Sequence, residues 1–102
     1  DLKEAMKLAM ESLEGEEVLI LADLVGGTPF NVAAALKQEC TDRRIKVMAG
    51  VNMASLVEAV FSRPMYGLDG LAAAVLTAGR EGIKDLDGLG SEEEGPEFED
   101  GL

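Results

Sequence analysis

Five apolar residues in a row, Val18-Leu19-Ile20-Leu21-Ala22, run straight into Asp23-Leu24-Val25-Gly26-Gly27-Thr28-Pro29-Phe30-Asn31. An apolar run without alternation suits a strand covered on both faces, as in a parallel sheet. The two glycines allow a tight turn. A helix then starts, with Thr28 expected as its N-cap and Pro29 at its first position. Asp23 therefore falls at the carboxyl end of a buried strand. In an open α/β sheet the crevice outside those ends is where ligands bind, and N–H groups at a helix start favour an anion.

The rest of the chain carries the same alternation of elements. Leu2, Ala5, Met6, Ala9 and Leu13 lie on one stripe of an amphipathic helix, which Gly15 is expected to end. Pro29 to Glu39 reads as the crossover helix and Ile45 to Val51 as a second strand. Asn52 can cap a third helix, with Met53, Leu56, Val57, Val60 and Phe61 on one face. Arg63-Pro64 breaks it, and a fourth helix runs from Leu68 to Gly79 and Gly82. Ile83 to Leu86 could form a short last strand. The expected fold class is α/β, a mostly parallel sheet flanked by helices on both faces. Two strands are too few for an independent sheet, so further strands are expected from another chain or from the amino side of Asp1.

With 102 residues there is room for one domain. The net charge of −11 is uneven: eight acidic and no basic residues lie from Asp85 to Leu102, which leaves the first 84 residues at −3. The expected organisation is a folded unit over 1–86 and an acidic, disordered tail over 87–102. Nothing resembles a basic stripe, so nucleic acid is not an expected partner. The longest apolar run, Leu71 to Leu76, falls far short of the ~20 residues of a membrane helix. No stretch reads as a secretory leader, and the expected location is cytoplasmic. One cysteine, Cys40, and no histidine leave no plausible zinc site, and no cofactor is expected. The first residue is Asp1, not methionine, so sequence is expected upstream.

Each candidate site residue has a plain structural reading beside its chemical one. Asp23 can orient a histidine or stabilise its charged form, or simply end a strand in solvated polarity. Gly26-Gly27 can aim N–H groups at an anion, or form an ordinary turn. The hydroxyl of Thr28 can meet a phosphate, though capping already accounts for it. Asn52 follows its strand as Asp23 does, on the same crevice rim, and capping accounts for it as well. Neither a Walker A loop nor a dinucleotide fingerprint is present. Arg80-Glu81 reads as a helix-ending ion pair, and Cys40, with no basic cluster or histidine to activate it, as structural.

Three stretches taken together resemble one family. Asp23 to Asn31 resembles the Asp-x-x-Gly-Gly-Ser/Thr-Pro-Phe-Asn signature of the mannose-family enzyme IIA of the phosphoenolpyruvate-dependent sugar phosphotransferase system. Val47 to Asn52 with Leu56-Val57-Glu58 resembles a second family block, and Ala78 to Ile83 a third. The similarity covers Leu2 to about Leu86.

That resemblance implies a homodimer of α/β subunits that exchange a short last strand. It implies a phosphocarrier for mannose-family sugar uptake, with HPr and a IIB component as partners and a membrane permease involved indirectly. In the family a histidine after the first strand takes phosphate from phospho-HPr and passes it to IIB. Asp23 matches the aspartate beside that histidine and would orient it. Gly26, Gly27 and Thr28 match the phosphate-facing loop, and Asn52 the asparagine of the second block. The family's first strand, the helix after it and the second strand have no counterpart here, nor does the phosphoacceptor histidine. The chain alone is therefore expected to be inactive. A proline usual in the second block is replaced, with Met53-Ala54-Ser55 following Asn52. Two other readings stay open: a non-catalytic IIA-like regulatory or dimerisation module, and the phosphotransfer subunit of a dihydroxyacetone kinase.

Overall fold

In the computed structural model, residues 1–90 are described. Helix α1 (Leu2–Glu11) leads into β1 (Glu17–Ala22), α2 (Thr28–Glu39), β2 (Arg44–Ala49), α3 (Met53–Ser62), a 3-10 turn (Arg63–Met65), α4 (Leu68–Glu81) and α5 (Leu86–Gly90). The strands pair in parallel, with Val18 beside Ile45 and Ala22 beside Ala49. Helix α2 makes the crossover.

The two-sided burial expected of the apolar strands is what forms. Val18 and Ile45, with Ile20 and Val47, pack on one face against Met6, Met10, Val32 and Leu36 of α1 and α2. Leu19, Leu21 and Met48 pack on the other against Ala59 of α3 and Leu71 and Val75 of α4. Strand side chains alternate between faces with period two, so each face draws every second residue into its own core. Leu36 and Val75 are the largest fully buried side chains, one in each core.

At the amino edge of the sheet, Glu17 performs a task that no local residue takes on. The N-cap of α4 is Gly67, without a side chain to offer, and the Glu17 carboxylate accepts from Leu68 N–H at 3.2 Å. Arg44 ties the same corner, bonding Glu17 at 2.8 Å and Asp69 at 3.1 Å. The Asp69 carboxylate above all, and Glu17 after it, raise the pKa of that guanidinium above its ordinary value.

Three expectations are corrected. Helix α1 ends at Glu11 with Ser12 as C-cap, before Leu13 and Gly15. Its end is held from a distance: α1 has no basic residue in its last turn, and Arg43 donates to Met10 O at 2.6 Å and to Gly15 O at 2.9 Å. Ile83 to Leu86 forms no strand. Asp85 instead accepts from Asp87 N–H at 3.0 Å and so starts α5 at Leu86. Thr28 is not the cap of α2; Gly27 holds that place, in extended conformation, and Thr28 is the first helical residue. The expected boundary at 86/87 falls at the start of α5, and the acidic tail from residue 91 lies outside the described residues.

Candidate functional site

The carboxyl ends of β1 and β2 bring the predicted residues to one rim. Beyond the last strand pair, Gly50 N–H donates to Asp23 O at 3.1 Å and Val51 N–H to Ala22 O at 3.4 Å. The segments carrying Asp23 and Asn52 therefore stay stitched together past the sheet. Asp23 is exposed, and its carboxylate has no ion pair or hydrogen bond among the described residues.

The loop after Asp23 is a β-turn closed by Gly27 N–H donating to Leu24 O at 3.3 Å. Gly26 at its third position has φ +81°, while no non-glycine residue has positive φ, which defines a type II turn. A side chain at Gly26 would be strained. Asn31, one turn into α2, reaches back through Nδ2 to Gly26 O at 3.0 Å and fixes the loop against the helix. The first turn of α2 leaves N–H groups without intrahelical acceptors. With a glycine cap, no side chain takes them up. The displacement of Thr28 from the capping position leaves its exposed hydroxyl without a partner among the described residues.

Asn52 does what its position after β2 suggested, and more. Its Oδ1 accepts from Ser55 N–H at 3.0 Å and Ser55 Oγ accepts from Asn52 N–H at 2.9 Å, a complete capping box. Its Nδ2 donates to Gly79 O of α4 at 2.9 Å. One amide hydrogen of the side chain remains. This tie across 27 residues could not be read from local sequence. Helices α3 and α4 meet closely there: a Cβ added at Gly79 would lie 3.3 Å from Ser55 Cβ, and one at Gly82 only 2.5 Å from Ala54 Cβ.

Arg80 departs from its expected pairing with Glu81. Its guanidinium carries no ion pair among the described residues, and the residue is exposed at the border of a hollow with Asn52 and Ser55. Cys40 is half-buried beside the α1/α2 core, in keeping with a structural place. Among the described residues no group of His, Cys, Asp or Glu could hold a metal ion, and no helix is long and apolar enough to cross a membrane.

A parallel sheet packed by helices on both faces is also the kind of architecture by which this chain resembles component EIIA of the phosphotransferase system from Streptococcus agalactiae. The two superpose with a TM-score of 0.76 at 46% identity, over 85% of this chain and 66% of that one. The fold is thus that of a phosphotransferase-system EIIA component. Residues 1–76 match the model of the EIIA-man family, described as the fructose IIA component of that system, and the chain belongs to this family. It is 40% identical over 72 residues to the mannose-specific EIIAB component of Escherichia coli, which covers 68% of this chain. It is 43% identical over 58 residues to the fructose-specific EIIA component of Bacillus subtilis, which covers 57% of this chain. The chain spans 21% of the first relative's length and 38% of the second's.

Proposed function

We propose that these residues build the aspartate and glycine-loop side of a phosphohistidine relay that takes phosphate from phospho-HPr and gives it to a IIB component during sugar uptake, in the cytoplasm. The observation that carries this is the single rim on which Asp23, the Gly26–Thr28 loop and Asn52 stand, stitched by the Gly50–Asp23 hydrogen bond. In each transfer an imidazole nitrogen attacks phosphorus, the donor's P–N bond breaks and a new P–N bond forms. The Asp23 carboxylate would accept from the other imidazole nitrogen, select its tautomer and stabilise the positive charge that develops. The amides at the start of α2 and the Thr28 hydroxyl would meet the phosphoryl oxygens. The remaining amide hydrogen of Asn52 could meet another.

The histidine has to come from outside the 102 residues, none of which is histidine. The outer edge of β1 is unpaired among the described residues. Leu19 and Leu21 are half-buried beside a hollow of about 490 Å3. A further parallel strand on that edge would bring its carboxyl end beside Asp23 and could set a histidine there. Homodimerisation fits the exposure of Val60 and Phe61 on α3, at 63% and 75%.

The test is labelling by phosphoenolpyruvate, enzyme I and HPr. The chain alone should gain no acid-labile, base-stable phosphate. A domain completed at its amino end by the family's histidine-bearing strand–helix–strand should be labelled and should pass the label to IIB. A folded, completed domain that takes no label would overturn the relay reading in favour of a IIA-like regulatory or dimerisation module. Relatives that are mannose- and fructose-specific components support the sugar relay over a dihydroxyacetone kinase subunit.

A further inference from the structure

Arg80 borders a hollow of about 250 Å3 formed by the carboxyl end of β2, Asn52, Ser55, Val75 and Gly79. The cations at the opposite end of the sheet are engaged: Arg44 and Lys46 with carboxylates, Lys37 and Arg43 with backbone carbonyls. Arg80, like Lys7, Arg63 and Lys84, has no such partner among the described residues, and of these four it is the one that lines the hollow beside Asn52. A cation in the last turn of a helix is favoured by the helix dipole. That accounts for a charge at this place, and the hollow beside it leaves the guanidinium room to meet an anion.

The backbone that carries it is also held in place. The Asn52–Gly79 hydrogen bond and the contact of Gly82 with Ala54 hold the last turn of α4 against the start of α3. Asp23 follows β1, the strand beside β2, and its segment is joined to the one that carries Asn52 by the Gly50–Asp23 bond. The rim otherwise offers a carboxylate, amides and a hydroxyl. A phosphoryl dianion brought beside Asp23 would meet like charge.

We infer, on the relay reading above, that Arg80 receives an oxyanion of the phosphoryl group carried in on phospho-HPr. The planar guanidinium matches phosphoryl oxygens bidentately, in a geometry that a lysine cannot copy.

The experiment compares the completed domain with its Arg80→Gln and Arg80→Lys variants, each checked for folding by circular dichroism. Arg80→Gln should lower kcat/KM for transfer from phospho-HPr by about 10–100-fold, the range of a lost charge-assisted hydrogen bond. It should weaken binding of phospho-HPr while leaving unphosphorylated HPr unchanged. Arg80→Lys should restore part of the loss. Unchanged transfer in Arg80→Gln would overturn the inference. So would equal weakening toward both forms of HPr, which would assign Arg80 to an acidic side chain of the partner instead of the phosphoryl group. If the unmodified completed domain takes no label, the relay reading fails and this inference with it.

Discussion

Replacing Gly82 by alanine should destabilise the chain, although local propensity argues the reverse. Gly82 has φ −77° and ψ −10°, a conformation that alanine adopts without strain. On the unfolded-state argument alone the change would stabilise by about 0.4–1 kcal/mol. The added methyl would sit 2.5 Å from Ala54 Cβ and 3.1 Å from Ala78 O. Neither neighbour is the end of a flexible side chain, so α4 must move away from α3. Overpacking of this kind costs about 1–3 kcal/mol, and the net loss should be about 1–2 kcal/mol. Gly79→Ala meets Ser55 Cβ at 3.3 Å and should cost less, while Gly88→Ala meets no atom within 4 Å and should not destabilise. Urea unfolding followed by circular dichroism would rank the three. A Gly82→Ala protein as stable as the parent would show that the α3–α4 crossing is loose and does not hold the backbone at Arg80 in place.

Three further outcomes are expected. Asn52→Ala should lose the cap of α3 and the bond to Gly79, about 1–3 kcal/mol together, with faster amide exchange at the start of α3 as the check. Arg43→Met should remove the side-chain donor to Gly15 O and one of the donors to Met10 O, which keeps Leu13 N–H at 3.1 Å, costing about 0.5–1.5 kcal/mol and loosening the end of α1, read by exchange of its last-turn amides. Asp23→Asn in the completed domain should leave the fold intact and slow phosphate acceptance and donation on the order of 10–100-fold, because the imidazole loses the charge that orients it; equal rates in a folded mutant would reduce Asp23 to a strand terminator.

What the sequence revealed and what it hid divide along physical lines. The unalternated run Val18 to Ala22 announced a strand buried on both faces, and each face is covered by a pair of helices. Asn52 capped α3 as its spacing implied, because a capping box is a contact over three residues. The misreadings arose where long-range partners or competing local bonds decided. Thr28 was expected to cap α2, but the type II turn at Gly26 carries Gly27 into that place. Ile83 to Leu86 has an apolar pattern that a strand could use, but the Asp85 side chain starts a helix instead. The Met10 carbonyl at the end of α1 accepts from Arg43, 33 residues on, in addition to Leu13 N–H. Glu81 follows Arg80 directly, and adjacent residues on a helix do not face each other.

The rim combines two kinds of support, and they differ in how they respond to change. The Asp23–Asn31 side is local: one turn, one glycine at positive φ and one side-chain bond from Asn31 set it. The Asn52–Arg80 side depends on two helices keeping their crossing, through Gly79 and Gly82. Substitutions in the core beneath α3 and α4, such as Val75→Ala, should therefore disturb the Arg80 side while leaving the glycine loop in place. Val75 is 1% exposed, and truncating a fully buried valine in this way costs about 1–3 kcal/mol. Amide chemical shifts would separate the two sides: changes should concentrate at Asn52, Ser55 and Arg80, with those of Gly26 and Gly27 unmoved. Shifts spread evenly over both would mean that the rim behaves as one unit, and that the division drawn from the hydrogen bonds is wrong.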